Sequence, residues 1–334
     1  MTNTQRPLLR VEDISICYQT KRGRLKAVSG ASFSIHEGES VALIGESGCG
    51  KTTLATSIVD ALPMAASITA GKLLYTKDGK TIDLLELKRS QLRPLLWSDI
   101  SMVFQASQSS FNPVRKIKTQ FLDTVWAHDR KAKKEDILAR SAELLRVVML
   151  DPDKVLNAYP HELSGGMKQR TLIALSLLLQ PRLVILDEPT TALDLLTQEK
   201  ILRLLKELRK QYGFSLLFIT HDLGIVSELA DRVVTMYAGK AVENAPVADF
   251  FRNAHHPYSK GLVDAIPRLT LDDREIVSIP GTPPDMVSEE HGCPFAPRCS
   301  RCQDKCRDRV PAQKNVDGRD DWLCACWNPV MKGE

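Results

Sequence analysis

The chain has 334 residues, 43% of them hydrophobic and 26% charged, with a formal net charge of +4. This composition fits a globular protein of one or two domains, and so small an excess of positive charge does not point to a nucleic-acid partner. The opening MTNTQRPLLR lacks the apolar core of a secretory signal. The longest apolar run, Leu172–Leu179, is broken by Ser176 and falls short of the roughly 18 residues that a membrane span needs. Any membrane role is therefore expected to come through partner chains, with this chain on the cytoplasmic side.

From about residue 8 to 250, strand-like and helix-like segments alternate. That pattern predicts an α/β domain with a mainly parallel sheet, its ligand at the carboxyl ends of the strands. Ser40–Ile44 (SVALI) reads as a short buried strand, and Lys51–Leu62 as the helix that follows it. Between them, Gly45-Glu46-Ser47-Gly48-Cys49-Gly50-Lys51-Thr52 fits the phosphate-binding pattern G-x-x-x-x-G-K-[ST], in the strand-to-helix context the pattern requires. Glycines let backbone amides approach phosphate oxygens, and the helix N-terminus adds partial positive charge. Lys51 can pair with the β and γ phosphates, and the Thr52 hydroxyl can ligate Mg²⁺, with Thr53 next in the same turn. Cys49 reads as a small residue tolerated inside this loop, whose alkylation should block ATP binding.

Further along, Lys134–Val147 reads as a helix. Leu183–Leu186 is a buried strand ending in two carboxylates, Asp187 and Glu188. Such a strand can deliver Asp187 to the Mg²⁺ shell and Glu188 to an attacking water. A helix over Gln198–Lys210 and a strand over Leu216–Ile219 follow. After residue 253 proline becomes frequent and the texture is that of a loop-rich appendage without further sheet, giving two domains, 1–253 and 254–334. Six of the eight cysteines lie in that tail, between Cys293 and Cys326.

Leu163-Ser164-Gly165-Gly166-Met167-Lys168-Gln169, just upstream of the Asp187-Glu188 strand, resembles the LSGGQ-type signature of the ABC (ATP-binding-cassette) ATPases. Other elements of that family occur in order. Gln105 matches the glutamine-loop residue, Ala192-Leu193-Asp194 the D-loop, His221 the switch histidine, and Tyr18 the aromatic that stacks on adenine. The resemblance implies a P-loop ABC nucleotide-binding domain, in which a mainly parallel sheet core carries antiparallel β and α-helical subdomains. It implies catalytic roles for Glu188, His221 and Gln105, and Mg²⁺ contacts for Thr52, Gln105 and Asp187. It also implies a head-to-tail dimer in which the P-loop of one cassette and the signature of the other (Ser164, Gly165, Gly166, with Asp194 nearby) enclose each ATP.

Several segments resemble the oligopeptide/dipeptide permease ATPase branch of that family: QASQSSFNP at Gln105–Pro113, YPHELSGGMKQR at Tyr159–Arg170, HPYSKGL at His256–Leu262, and GCPFAPRC at Gly292–Cys299. The sequence departs from the branch at Ala106, where Asp is frequent, and at Leu195-Leu196, where Val-Thr is frequent. The resemblance implies two membrane permease subunits, an extracytoplasmic solute-binding protein and a second cassette, either different or identical. It implies uptake of di- or oligopeptides, with nickel complexes or oligosaccharides as alternatives, and sets a non-transport ABC ATPase as the rival. Cys293, Cys299, Cys306 and Cys326 match positions where some relatives carry a four-iron four-sulfur cluster. Four thiolates there suit such a cluster or tetrahedral zinc, or stay unligated, and their spacing matches neither common ferredoxin run. Cys302 and Cys324 are additional, and Cys299 with Cys302 forms an alternative ligand pair.

Overall fold

The computed structural model describes residues 7–105, 110–190, 194–266, 278–287 and 291–331. Ala192 and Leu193 of the D-loop, and Ala106, lie outside the described residues. In chain order the chain forms β1 (Pro7–Thr20), β2 (Gly23–His36), β3 (Ser40–Ile44), α1 (Lys51–Ile58), β4 (Ala66–Lys77), β5 (Lys80–Asp83), α2 (Arg89–Leu92), β6 (Ile100–Val103), α3 (Ile117–Trp126), α4 (Lys134–Val147), α5 (Pro152–Asn157), α6 (Gly165–Ser176), β7 (Leu183–Asp187), α7 (Leu195–Tyr212), β8 (Ser215–Ile219), α8 (Leu223–Leu229), β9 (Arg232–Tyr237), β10 (Lys240–Pro246), α9 (Val247–Asn253), α10 (Pro257–Asp264), α11 (Asp304–Asp308), β11 (Lys314–Val316) and β12 (Arg319–Cys324).

These elements gather into two compact units. The first takes Met1–His36, Ser40–Leu85 and Ile219–Glu334. It holds an antiparallel sheet in the order β2-β1-β4-β5, and a run of strands in the order β11-β12-β10-β9-β3. β3 pairs in parallel with β9, and both are buried along their whole length, which is why SVALI and VVTMY are almost unbroken in apolar residues. The two 14-residue strands β1 and β2 instead alternate, with Leu9, Val11, Ile14 and Ile16 buried.

The proline-rich tail is not wholly loop, contrary to the reading of its texture. β12 pairs antiparallel with β10 (Glu243 opposite Cys324, Asn244 opposite Leu323), and β11 pairs with β12. Charged residues at Arg319, Asp320 and Asp321 mask this strand in the sequence, while Trp322 and Cys324 supply its buried face. Trp322 Nε1 donates to the fully buried Glu243 carboxylate (3.0 Å), which also accepts from the backbone N–H of His255 (2.9 Å) and His256 (3.0 Å).

The second unit takes Glu37–Glu39 and Glu86–Phe218. Its strands run in the order β8-β7-β6, with β6 and β7 parallel. α4 packs against α3, α5 and α6. α7 buries Ile201, Leu204, Leu205 and Leu208 at helical spacing, each worth about 1.5–3 kcal/mol of apolar burial. Asp194 caps its start and Gly213, at φ 71°, ends it. Predicted strands and helices are observed within a few residues, except that α1 stops at Ile58. Asp60 turns left-handed there (φ 53°), and Ala61 N–H bonds back to Thr56 O.

Candidate nucleotide site

In the first unit the fully buried β3 delivers its chain end into the loop Gly45–Gly50, and α1 begins at Lys51. Two glycines are obligatory. A Cβ on Gly45 (φ 144°) would lie 2.1 Å from Met236 O, and one on Gly50 (φ 100°) 2.2 Å from Ala27 O. Gly50 caps α1 without any side-chain hydrogen bond, so the first-turn amides are open to an anion. Lys51 is 8% exposed and folds back over the loop, its Nζ donating to Gly45 O (2.8 Å) and Glu46 O (2.9 Å). This wraps the loop around a cation, as a polyphosphate cradle requires. The Thr52 side chain is exposed at the mouth of this turn. Tyr18 Oη lies 3.1 Å from Thr53 Oγ1, which places the aromatic beside the helix start. Cys49 is buried, and burial pushes its thiol pKa up, against the lowering effect of Lys51.

In the second unit β7 carries buried aliphatics up to Asp187, itself 2% exposed. Glu188 follows with φ 49°, a left-handed conformation that a non-glycine residue holds only at a cost. That turn swings its carboxylate to Gln105, whose Nε2 donates to Glu188 Oε2 at 2.8 Å. The glutamine and the glutamate, far apart in sequence, are thus brought together. Ser164 is the N-cap of α6, its Oγ accepting from Met167 N–H (3.3 Å), so the signature serine, Gly165 and Gly166 sit at an accessible helix start. Asp194 caps α7: its carboxylate accepts from Thr197 N–H (2.9 Å) and Thr197 Oγ1 (2.7 Å), bonds that also lower its pKa. In the first unit, His221 follows β8 on an exposed turn ahead of α8, which Asp222 caps through Gly224 N–H.

An ABC transporter family model matches residues 28–191, and one described as the oligopeptide/dipeptide transporter C-terminal region matches 242–306. The dipeptide transport ATP-binding protein DppD of Caldanaerobacter subterraneus subsp. tengcongensis is 42% identical, over 95% of this chain and 96% of its own. The chain belongs to the ABC transporter ATP-binding proteins. DppD of Bacillus subtilis (40% identical, 98% of this chain and 96% of that one) and the oligopeptide transport ATP-binding protein OppD of Salmonella typhimurium (37%, 98% and 97%) are similar along their full length. Among solved structures, the dimeric ATP-binding cassette MJ0796 in a post-hydrolysis state with ADP and Pi superposes with a TM-score of 0.63 at 27% identity, covering 72% of this chain and 98% of that one. As a member of this family the chain is an ATPase coupled to transport. Among the described residues no helix is long and apolar enough to cross a membrane.

The C-terminal region typical of this branch places Cys293, Cys299, Cys306 and Cys326 around one pocket, together with His256 and Phe295; Cys302 and Cys324 do not line it. Among the described residues no group of three or more His, Cys, Asp or Glu side chains is arranged to hold a metal ion. Two contacts to the P-loop went unassigned in the sequence: Arg298 of GCPFAPRC reaches the Glu46 carboxylate, and Tyr258 of HPYSKGL reaches the Glu46 N–H. Both motifs were visible as features of the branch, and nothing in their spacing names a partner in the P-loop.

Proposed function

We propose that this chain is the ATP-hydrolysing motor of an importer for di- or oligopeptides, working as a peripheral subunit on the cytoplasmic face of the membrane. The observation that carries the ATPase part of the reading is the Lys51-threaded loop Gly45–Gly50, and the likeness to dipeptide and oligopeptide transport ATP-binding proteins supports the cargo. In this reading the P-loop amides, Lys51 and Thr53 hold the phosphates and Tyr18 stacks on the adenine. The family resemblance gives Mg²⁺ contacts to the Thr52 hydroxyl, Gln105 and the Asp187 carboxylate, and the ion would offset phosphate charge during transfer. Glu188 takes a proton from the water attacking the γ phosphorus. The new O–P bond forms as the bridging O–P bond breaks, and ADP leaves with that electron pair. Gln105 orients Glu188, and His221 contacts the γ phosphate. Ser164, Gly165 and Gly166, with Asp194, act on the ATP of a second cassette, the helix start at α6 donating to its γ phosphate. ATP thus holds two cassettes together, and its hydrolysis releases them.

The membrane partners dock in a groove of about 390 Å³ lined by Trp97, Phe104, Phe111, Arg115, Asp123 and Leu172. Phe104 is 40% exposed there, an aromatic anchor suited to a cytoplasmic helix of a permease subunit. If a four-iron four-sulfur cluster is bound, as the resemblance implies, Cys293, Cys299, Cys306 and Cys326 would hold it, each supplying one thiolate. Burial pushes the Cys293 and Cys326 thiols up to about 11, so a metal bound there would have to displace their protons. Iron, sulfide and zinc analysis of anaerobically purified protein tests this assignment, and metal-free folded protein refutes it.

The test of function is affinity purification of the tagged chain from gently solubilised membranes. Two multi-span permeases, a peptide-binding protein and a second cassette are expected. Recovery of a nickel- or oligosaccharide-binding protein would move the cargo, and recovery of ribosomes or DNA-repair proteins would overturn the transport reading.

A further inference from the structure

The P-loop is gripped from outside the cassette's own motifs. Arg298, immediately before Cys299, forms a two-pronged ion pair with the Glu46 carboxylate, Nη1 to Oε2 at 2.8 Å and Nη2 to Oε1 at 2.9 Å. The guanidinium is fixed in turn by Nε to Pro280 O (2.7 Å) and Nη1 to Tyr237 Oη (3.2 Å), and it lies over the Tyr237 ring (5.7 Å to the centroid). Its side chain is only 6% exposed. Around it Tyr237, Tyr258 and Phe295 form one aromatic cluster, with centroids 4.6–5.4 Å apart.

Glu46 is therefore held at three points. Its carboxylate is taken by Arg298, its N–H donates to Tyr258 Oη (2.8 Å), and its carbonyl accepts from Lys51 Nζ (2.9 Å). Two of the three come from the C-terminal region, and the third is the phosphate-binding lysine. A bidentate, charge-assisted pair is the strong kind of hydrogen bond, and it fixes orientation as well as distance. Moving Glu46 moves the carbonyl on which Lys51 rests, and so displaces the ammonium that meets the phosphates.

We propose that Arg298 is a positioning residue for nucleotide binding: through Glu46 it sets the P-loop and Lys51 in their phosphate-binding arrangement, so that the C-terminal region is a structural part of the ATP site. This rests on the reading that Gly45–Thr52 holds ATP.

The test uses the full chain, alone for ATP affinity and melting temperature, and in its reconstituted transporter for KM and kcat. Arg298→Met should raise the ATP Kd and KM about tenfold, the size typical of a residue that couples to a site without touching the ligand, and leave kcat at saturating ATP within about twofold. Arg298→Lys keeps the charge but not the fork and should raise Kd about threefold. A folded Arg298→Met protein with unchanged Kd would overturn the proposal, as would an equal fall in kcat with KM unmoved. Should Arg298→Met not fold, Glu46→Gln weakens the pair while leaving the bonds of Arg298 to Pro280 O and Tyr237 Oη; it should raise Kd about threefold, and an unchanged value overturns the proposal equally. Lys51→Ala, run alongside, separates the two ideas. If it binds ATP normally, the P-loop reading fails; if it loses ATP while Arg298→Met does not, only the positioning role fails.

Discussion

Replacing Glu188 by Gln changes one oxygen to an amide and little else. The substituted side chain keeps a carbonyl oxygen that can accept from Gln105 Nε2, now 2.8 Å from Glu188 Oε2. The left-handed backbone at this position (φ 49°) suits Gln as well as Glu, so no new strain enters. What is lost is the proton acceptor. A positioned general base contributes about 10²- to 10⁴-fold, equivalent to roughly 2.7–5.4 kcal/mol of barrier. Single-turnover phosphate release should therefore slow by that factor, while ATP Kd stays within about threefold because the P-loop is untouched. Size-exclusion chromatography with ATP should show a longer-lived cassette dimer, since ATP holds the interface until it is cleaved. Phosphate release within about threefold of wild type would remove Glu188 from its role, because that is well below what a general base supplies.

Gly45→Ala should abolish ATP binding or soluble expression, since its Cβ would stand 2.1 Å from Met236 O in a strand that cannot yield; near-normal ATP binding would contradict the loop geometry. Maleimide should label Cys49 slowly at neutral pH, because burial raises its thiol pKa, and faster as pH rises; bound ATP should protect. Full ATPase after confirmed modification at Cys49 would show that the loop tolerates bulk where phosphate is expected. His256 has its folded pKa lowered to about 3 by burial, from 6.5, so the unfolded chain binds the extra proton between those values and stability rises with pH across that window. Between pH 5 and 6.5 the gain is about 2 kcal/mol. His256→Asn, which keeps an acceptor for Tyr258 N–H, should flatten that acid limb in chemical denaturation; an unchanged slope would place the sensitivity elsewhere.

The P-loop was legible because its chemistry is local: glycines, Lys51 and Thr52 must be contiguous, and the strand and helix that frame them each announce themselves by pattern. The same holds for β7 ending in Asp187 and Glu188. The bond between Gln105 and Glu188 was not legible as geometry. It depends on a strained turn at Glu188, and nothing in the residue type signals a positive φ there. Arg298 and Glu46 lie 252 positions apart, and a single Arg-Glu pairing over that distance leaves no periodic trace. β12 was hidden for another reason. Its outward face is charged and its flanks carry prolines, so only Trp322 and Cys324 mark the buried side.

That last strand has a consequence for how the chain keeps its solubility. β10 carries β9 on one side, and on the other it is covered by β12 through Glu243 and Asn244, by Ala325 N–H donating to Val242 O (2.8 Å), and by Gln313 Nε2 donating to Ala241 O (2.8 Å). Cut at residue 253, the chain would present β10 as a bare row of amides and carbonyls, a ready template for another molecule's strand. The C-terminal region thus acts as an edge guard against self-association, and a shortened cassette should polymerise through β10.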